Sequence, residues 1–290
     1  MDKVTKLEAT LRNTGGPSQE KLFGLGLGAQ RCGSTWLGKY LNNHPEFYIP
    51  PIKEMHIFDT IWKEKNHPLF IRNKIASKKI HQDILKVSQQ EKSYYEFFDE
   101  YLNPEIRAFG EITPEYSLLG QKFLKLIGES HPNIRLFVSL RRPVGRYLSA
   151  LTYYGRLRPK FNLEKNYLNG LNMKLFCHYT RYTLNIRNLL AVVPREKICF
   201  LYYEELFNGT TDALFDLCDH LQIARVAPED ISLPQSKIIN KTSTKSNIRK
   251  PNAEEMQAIY KKFEEEYIKL PELISKPLPQ SWKNDLMNYG

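Results

Sequence analysis

Short apolar runs alternate along the chain with segments in which apolar residues recur at helical spacing. The apolar runs at 22–27, 47–49, 134–140 and 198–202 predict buried β-strands, since each is short and largely apolar. The helically spaced segments predict α-helices at 34–41, 143–154, 176–193, 212–221 and 253–268. Strands that alternate with helices predict an α/β fold, with a central parallel sheet and helices on both faces.

Two segments lack this periodic pattern. Residues 1–20 are polar and predict a mobile leader that ends at the sequence GGP. Residues 60–92 are basic and weakly periodic, which predicts an excursion from the core. Because no linker, repeat or low-complexity block interrupts residues 21–290, we expect them to form a single domain.

The composition is that of an ordinary soluble globular protein, with 41% hydrophobic and 26% charged residues among 290. No apolar run approaches the roughly 20 residues that cross a bilayer, and the N-terminus lacks a signal-peptide pattern. The four cysteines are far apart in sequence, which argues against a zinc site and fits a reducing compartment. These features predict a cytosolic protein.

The net charge of +10 indicates an anionic partner. The basic residues are spread along the chain, without zinc-finger spacing or an aromatic RNA-binding signature. We therefore expect a small polyanion as the partner, rather than a nucleic acid or a membrane surface.

The segment FGLGLGAQRCGSTWL predicts a strand that turns through glycines into a helix. Gly28 and Gly33, followed by Ser34 and Thr35, fit the phosphate-loop frame G-x-x-x-x-G-K-[ST], except that Ser34 replaces the lysine. The nearest cation is Arg31, inside the loop. A helix N-terminus offers free N–H groups and a positive dipole end, so we expect this loop to bind a phosphate group.

A second basic element follows the predicted strand at 134–140, which runs into Arg141 and Arg142. A magnesium-dependent NTPase needs a carboxylate to help hold its metal, so the arginine instead favours a second anionic group on the ligand. Ser149 lies two helical turns beyond Arg141 and faces the same ligand if the helix points along it. We interpret Arg142 and Arg146 as surface charges.

The segments GAQRCGSTWL and VSLRRPVGRYLSA resemble the two donor-binding signatures of the sulfotransferase family, whose fold is P-loop-NTPase-like, a three-layer domain. The family's donor is 3′-phosphoadenosine 5′-phosphosulfate (PAPS). Its first signature, P-K-x-G-T-[TS], cradles the 5′-phosphosulfate, and its second, R-[DN]-P-x-x-R-x-x-S, holds the 3′-phosphate. The resemblance implies donor contacts for Arg31, Cys32, Gly33, Ser34, Thr35, Trp36, Arg141 and Ser149.

Two residues of the loop carry further expectations. Arg31 would stabilise negative charge on the departing 5′-phosphate, because it keeps the charge of the lysine that the family has at this place. Cys32 is interpreted as a small residue where the backbone passes a ligand closely, with a nucleophilic role as the alternative.

A third segment, PPIKEMHIFD, resembles the sequence K-E-P-H-F-F-D of sulfotransferases that act on carbohydrates and of many bacterial members. The resemblance implies that Glu54 is the general base, with His56 and Asp59 close by. Independently of the family, Glu54 and His56 are two residues apart on a predicted extended segment, so both point to one side and can share an acceptor hydroxyl. A structural role is the alternative for His56, and the choice of base between the two residues stays open.

Three further segments resemble the family more loosely. In FGEITPEYSLL, Ile112 occupies the position of a substrate-side lysine, which argues against a glycosaminoglycan acceptor. In ICFLYYEEL, Tyr203 matches a tyrosine that approaches the adenine, with a core position as the alternative. The basic segment NKTSTKSNIRKPN implies that Lys245, Arg249 or Lys250 closes over the donor.

Together these features predict a metal-independent, PAPS-dependent sulfotransferase. It would move the sulfuryl group to a hydroxyl or amine of a small-molecule or carbohydrate acceptor and release PAP. Such transfer needs in-line positioning and stabilisation of the leaving group, for which a metal is not required. Two alternatives stay open: a P-loop kinase, and a PAP- or nucleic-acid-binding module without catalysis, which would not need the Glu54 and His56 pair.

Overall fold

The computed structural model describes residues 2–52, 54–64, 78–158, 160–162, 164–233 and 250–290. Within these residues, one sheet contains the parallel strands β1 (Leu22–Gly26), β2 (Phe47–Tyr48), β3 (Ala108–Ile112), β4 (Ile134–Leu140) and β5 (Ile198–Tyr202). Their order across the sheet is β2-β3-β1-β4-β5. The predicted central parallel sheet is therefore confirmed, and β3 is a strand that the apolar pattern did not predict, because a glycine and a glutamate interrupt it.

Helices surround the sheet, which confirms the predicted three-layer α/β architecture. They are α1 (Lys3–Thr10), α2 (Ser34–Asn43), α3 (Ile57–Trp62), α4 (Lys78–Ser88), α5 (Tyr94–Asp99), α6 (Gln121–Glu129), α7 (Pro143–Leu157), α8 (Asn166–Asn169), α9 (Lys174–Cys177), α10 (Tyr182–Leu190), α11 (Tyr203–Leu206), α12 (Asp212–His220), α13 (Ala253–Ile268), α14 (Leu270–Ile274) and α15 (Gln280–Tyr289). No helix of the described chain is long and apolar enough to cross a membrane. The cytosolic location stays a prediction of the sequence.

Two hydrophobic clusters lie on opposite faces of the sheet, because successive side chains of a strand point to opposite sides. Phe23 and Leu25 of β1 belong to the larger cluster, and Leu22 belongs to the smaller cluster with α2 and α12. Gly24 lets the second layer approach β1 closely, since a Cβ atom there would lie 2.8 Å from Leu221 Cδ2.

The carboxyl ends of the three central strands meet at one edge of the sheet. Gly26 at the end of β1 is in register with Ile112 of β3 and with Phe137 of β4. The segments that follow these strands are therefore neighbours, as expected for a ligand site of a parallel sheet. They are the glycine-rich loop, the 3₁₀ turn Pro114–Leu118 and the Arg141–Arg142 pair.

The polar N-terminus is packed onto the domain, whereas the sequence predicted a mobile leader. Helix α1 contacts α3 and α6, and its Leu7 is fully buried. Val4 and Leu11 pack against the same cluster as Leu7, so the three residues form an apolar stripe at helical spacing. The stripe is narrow and surrounded by charged residues, which is why composition alone did not reveal it.

The long helix predicted at 176–193 is broken into two. Helix α9 ends at Cys177, a 3₁₀ turn follows, and Arg181 leaves helical geometry with ψ of 59° before α10 begins. The break turns two buried tyrosines toward polar partners: Tyr179 OH donates to Glu115 Oε1 at 3.3 Å, and Tyr182 OH donates to the Arg141 carbonyl at 2.8 Å. Helical periodicity alone could not indicate these distant partners.

The segment predicted as an excursion is partly regular core structure. Within 60–92, the described part contains the end of α3 and the amphipathic helix α4, in which Ile84 and Val87 are fully buried. Residues 65–77 lie outside the described residues.

Candidate active site

The glycine-rich loop is held against the ends of β4 and β3. Ala29 N donates to the Ser139 carbonyl at 2.7 Å, and Ser139 N donates to the Gly28 carbonyl at 2.6 Å. Gly28 has φ of 96°, and a Cβ atom there would lie 2.6 Å from Pro114 Cα. Glycine is therefore required at this position by both conformation and space. Gly33, with φ of 95°, ends the loop as the N-cap of α2.

Arg31 is half-buried at the centre of the loop and is positioned by α7. Its Nε donates to Ser149 Oγ at 3.2 Å, and its guanidinium lies 4.5 Å from the ring centroid of Tyr153. Burial lowers the pKa of Arg31, and the positive charge of Arg141 lowers it further. An arginine keeps its charge in proteins, so this position favours an anion beside it.

Arg141 lies next to Arg31 on the other side of the loop. Its Nη1 donates to the Arg31 carbonyl at 3.2 Å, and its guanidinium lies 4.4 Å from the ring centroid of Tyr203. The Tyr203 ring also faces Gly33, since a Cβ atom there would lie 3.3 Å from Tyr203 Cδ2. The structure thus brings together Arg31, Gly33, Arg141, Ser149 and Tyr203, and it places Tyr203 at the loop rather than in the core.

Neither Arg31 nor Arg141 forms an ion pair with a carboxylate of the described chain. Arg142, the next residue after Arg141, does form an ion pair: its Nη1 lies 2.8 Å from Asp285 Oδ1. Two adjacent arginines therefore have opposite roles: the charge of Arg142 is neutralised within the fold, and the charge of Arg141 is available to a ligand.

The interpretation as a surface charge is wrong for Arg146, and it holds only in part for Arg142. Arg142 is only half-buried, but its guanidinium ties α7 to Asp285 of α15. Arg146 is fully buried, and its Nη2 donates to the Phe176 carbonyl. A charged residue type predicts exposure on average, and only the packing of α7 reveals these exceptions.

The loop residue Cys32 and the first two residues of α2, Ser34 and Thr35, differ in their burial. Cys32 is fully buried, its Sγ lies 3.6 Å from Tyr182 OH, and burial raises its pKa to about 11. A neutral buried thiol is a poor nucleophile, which favours the interpretation of Cys32 as a packing residue. Ser34 and Thr35 form the first turn of α2 and are half-buried at the loop.

The ring of Trp36 is buried in the core, and the donor contact that the resemblance implies for this residue stays a prediction. Its ring is buried on the far face of the sheet, 5.2 Å from the centroid of Phe207, and its backbone N–H donates to the Gly33 carbonyl at 2.9 Å. Lys245 and Arg249 lie outside the described residues, and Lys250 is exposed where the description resumes.

A second polar cluster is built around His56. His56 Nδ1 lies 3.1 Å from Asp59 Oδ1, and Nε2 lies 3.5 Å from Glu54 Oε2 and 3.9 Å from Glu115 Oε2. The side chains of Glu54 and His56 converge because both residues have left-handed backbone, with φ of 63° at Glu54 and 56° at His56. The predicted extended segment is therefore wrong, although the predicted proximity is observed.

The pKa of His56 is governed by these carboxylates. Burial alone would lower it, but hydrogen bonds to Asp59 and Glu54 and the charges of Asp59 and Glu115 raise it to about 10. His56 is therefore an imidazolium at neutral pH. The ligand atoms of Glu54, His56 and Glu115 lie within 4.8 Å of one another, and with a protonated imidazole the three side chains form an ion-pair network.

Glu115 is a member of the cluster that sequence analysis missed. It is largely buried, burial raises its pKa, and its Oε2 accepts no hydrogen bond from the described residues. It follows Pro114, which packs against Gly28, so the His56 cluster borders the loop. Its place just after a strand, at the carboxyl edge of the sheet, is the signal that could have identified it.

Both a family model and solved structures of sulfotransferases match this chain. A model of the sulfotransferase family matches residues 25–228, which is more than half of the chain. A sulfotransferase from Alicyclobacillus acidocaldarius is 19% identical, with a TM-score of 0.63 over 91% of this chain and 98% of that one. A sulfotransferase domain from the curacin biosynthetic pathway is 17% identical, with a TM-score of 0.52 over 89% and 99%. No curated protein sequence matches significantly.

The chain therefore belongs to the sulfotransferase family. The solved structures share its fold, and their low identity supports nothing finer. The family match makes this protein a sulfotransferase enzyme, in preference to the kinase and the non-catalytic binding module that the sequence left open.

The elevated pKa of His56 gives a testable dependence of stability on pH. The pKa of His56 is about 10 in the folded protein and about 6.5 in an unfolded chain. The protonated His56 therefore stabilises the fold fully below pH 6.5, and this contribution to the free energy of unfolding is lost as the pH rises toward 10. Between pH 7 and pH 10, the wild type should lose more than about 1 kcal/mol of unfolding free energy relative to His56→Gln.

Denaturant unfolding at a series of pH values measures this difference. His220→Gln is the matched control, because His220 is also shielded from solvent but has a pKa lowered by burial to about 4, and it stays neutral over this range. Parallel stability curves for the wild type and His56→Gln above pH 7 would contradict the ion-pair network.

Proposed function

We propose that the protein transfers the sulfuryl group of PAPS to a hydroxyl or amine of an acceptor molecule. The observation that carries this proposal is the pair of guanidiniums, Arg31 and Arg141, which lie beside a glycine-rich loop and a helix N-terminus without a carboxylate partner in the described chain. PAPS carries anionic groups at its 5′ and 3′ positions, and arginine binds such groups with charge-assisted hydrogen bonds.

On the donor side, each residue has a distinct role. Arg31 and the first turn of α2, with Ser34 and Thr35, would stabilise the charge that develops on the departing 5′-phosphate. Arg141 and Ser149 would bind the 3′-phosphate, and the contact of Ser149 with Arg31 keeps this hydroxyl beside both arginines. PAPS and PAP are thus the substrate and product, and the residues themselves supply the electrostatic stabilisation.

On the acceptor side, the raised pKa of His56 supports Glu54 as the general base. A protonated imidazole cannot accept a proton, whereas Glu54 lies 3.5 Å from His56 Nε2 and is a carboxylate. The acceptor oxygen would form a bond to sulfur while the bond from sulfur to the bridging phosphate oxygen breaks. The acceptor proton would pass to Glu54, and the electron pair would leave with PAP.

Donor binding is tested with PAP. It should bind without Mg²⁺ and more tightly than ATP, because ATP lacks a 3′-phosphate for Arg141. Arg141→Ala should weaken PAP binding by roughly 1.5–3 kcal/mol, the scale of a hydrogen bond to a charged group. Isothermal titration calorimetry measures both effects.

Arg142→Ala is the matched control for Arg141→Ala, because its guanidinium is bound to Asp285. It should lower the melting temperature and leave PAP affinity unchanged. Tighter binding of ATP than of PAP, or an equal loss of PAP affinity in the two arginine variants, would contradict the proposed donor site.

The base is tested with Glu54→Gln, which keeps the shape of the side chain and removes its basicity. Single-turnover transfer from saturating labelled PAPS should slow by about 10²–10⁴-fold, the scale for loss of a general base, with PAP affinity unchanged. Glu129→Gln, a substitution on the exposed end of α6, is the control. A rate near that of the wild type would transfer the role of base away from Glu54.

The acceptor side favours neutral or cationic acceptors. Its described charges are three carboxylates, Glu54, Asp59 and Glu115, and two cations, His56 and Lys63, the latter 3.1 Å from Asp59. The buried Oε2 of Glu115 accepts no hydrogen bond from the part of the chain that the structure describes, so it needs a donor. A hydroxyl or ammonium group of the acceptor would satisfy it, whereas a carboxylate or sulfate would be repelled.

Matched aliphatic alcohols and phenols that carry an ammonium, a hydroxyl or a carboxylate group test this preference with labelled PAPS. We expect carboxylate-bearing acceptors to be slower by about tenfold or more, since like charges 4 Å apart repel by about 1–4 kcal/mol near a protein surface. Glu115→Gln should reduce the difference. Faster transfer to the carboxylate-bearing members would refute the assignment.

A further inference from the structure

A fully buried carboxylate lies beneath the His56 cluster. Glu111 in β3 is 2% exposed and accepts hydrogen bonds from Tyr94 OH at 2.9 Å, Tyr116 OH at 2.9 Å, Thr113 Oγ1 at 2.6 Å and Met55 N at 3.0 Å. Both oxygens are therefore satisfied, which is the condition for keeping a buried acidic group. Met55, whose backbone is bound here, lies between Glu54 and His56 in sequence.

Tyr116 extends this contact to the start of α3. While its hydroxyl donates to Glu111, the same oxygen accepts from Ile57 N at 3.0 Å and from Phe58 N at 3.4 Å. The N-terminal N–H groups of a helix have no partner within the helix, and here a side chain from another segment supplies one. Glu111 and Tyr116 together bind the backbone of the segment 54–58 at three points.

The segment 54–58 has an energetically unfavourable backbone conformation at two residues. Glu54 and His56 both have positive φ, which is unfavourable for residues other than glycine. Such conformations persist when the surroundings determine them, and the three hydrogen bonds to Met55, Ile57 and Phe58 are on either side of His56. Since the direction of the Glu54 and His56 side chains follows from these φ angles, the bonds also determine where the two side chains meet.

We infer that Tyr116, bound to Glu111, is a positioning residue that sets the geometry of the Glu54–His56 pair in this enzyme. The role differs from general support of the fold, since it acts through the backbone N–H groups of Ile57 and Phe58. The inference deepens the proposed function, because the consequence for turnover rests on the role of Glu54.

The chain contains a matched control for this inference. Tyr94 donates to the same Oε1 of Glu111 at the same distance of 2.9 Å as Tyr116, and both tyrosines are fully buried. Both rings also lie 4.9 Å from the ring centroid of Phe58. The described contacts of Tyr94 OH include no backbone group of the segment 54–58, so the two hydroxyls differ in this one respect.

The experiment compares Tyr116→Phe with Tyr94→Phe. Each removes one hydroxyl and leaves the ring, so both should lower the melting temperature. Only Tyr116→Phe should slow single-turnover transfer from labelled PAPS, by roughly 10²-fold, the effect of a displacement of about 1 Å at a reacting group. PAP affinity should be unchanged in both variants. Equal rates in the two variants, whether slow or fast, would overturn the inference.

A second readout does not depend on the acceptor. In ¹⁵N NMR titrations, with the His56 signal assigned from its absence in His56→Gln, the pKa of His56 should fall in Tyr116→Phe and stay in place in Tyr94→Phe. The fall would report a loosened contact with Glu54, Asp59 and Glu115, the groups that face the imidazole, with Lys63 bound to Asp59. An unchanged pKa in Tyr116→Phe would contradict the positioning role.

The His56 titration and hydrogen exchange of the wild type keep the inference separate from the proposed function and from a folding defect. If PAP fails to bind or Glu54→Gln keeps its rate, the proposed function fails, while the His56 titration still decides the inference. If Tyr116→Phe does not fold, hydrogen exchange of the wild type decides it. The amides of Met55, Ile57 and Phe58 should exchange only on global unfolding, and rapid exchange would overturn the inference.

Discussion

The parallel pairing of β1 with β3 and β4 is the constraint on which the site depends. This register brings the glycine-rich loop, the turn after β3 and the arginine pair after β4 to one edge of the sheet. The pairing requires close backbone approach, because a Cβ atom at Gly110 would lie 1.7 Å from the Gly24 carbonyl oxygen. Two glycines facing each other across the strands therefore allow the central sheet to form with this register.

Charge is divided between the two sides of the site. Arg31 and Arg141 lie at the glycine-rich loop without carboxylate partners in the described chain, and the carboxylates of Glu54, Asp59 and Glu115 instead lie within 4 Å of the His56 ring nitrogens. If the two sets were paired with each other, neither would be available to a ligand. The fold leaves the two sets unpaired with each other and binds Arg142, the neighbour of Arg141, to Asp285.

The His56 cluster illustrates how burial and neighbouring charges oppose each other. Burial disfavours the imidazolium, and three carboxylates within 4 Å of its ring nitrogens outweigh that effect. The cluster is supported from below by Glu111, a carboxylate whose hydrogen bonds are all satisfied. Two charged side chains on left-handed backbone thus rest on a buried strand of the sheet, and side chains on regular elements are positioned more precisely than those on loops.

Local periodicity and glycine placement are sufficient to predict the strand–loop–helix around Gly28–Ser34, the strand that runs into Arg141, and the alternation that makes a parallel sheet. The family resemblance added the expected donor contacts and the pair of Glu54 and His56. The packed fold was needed to show which charges are paired, that Arg146 is buried, that Trp36 faces the core, and that Glu115 joins His56. These features depend on contacts between residues far apart in sequence, which no local pattern encodes.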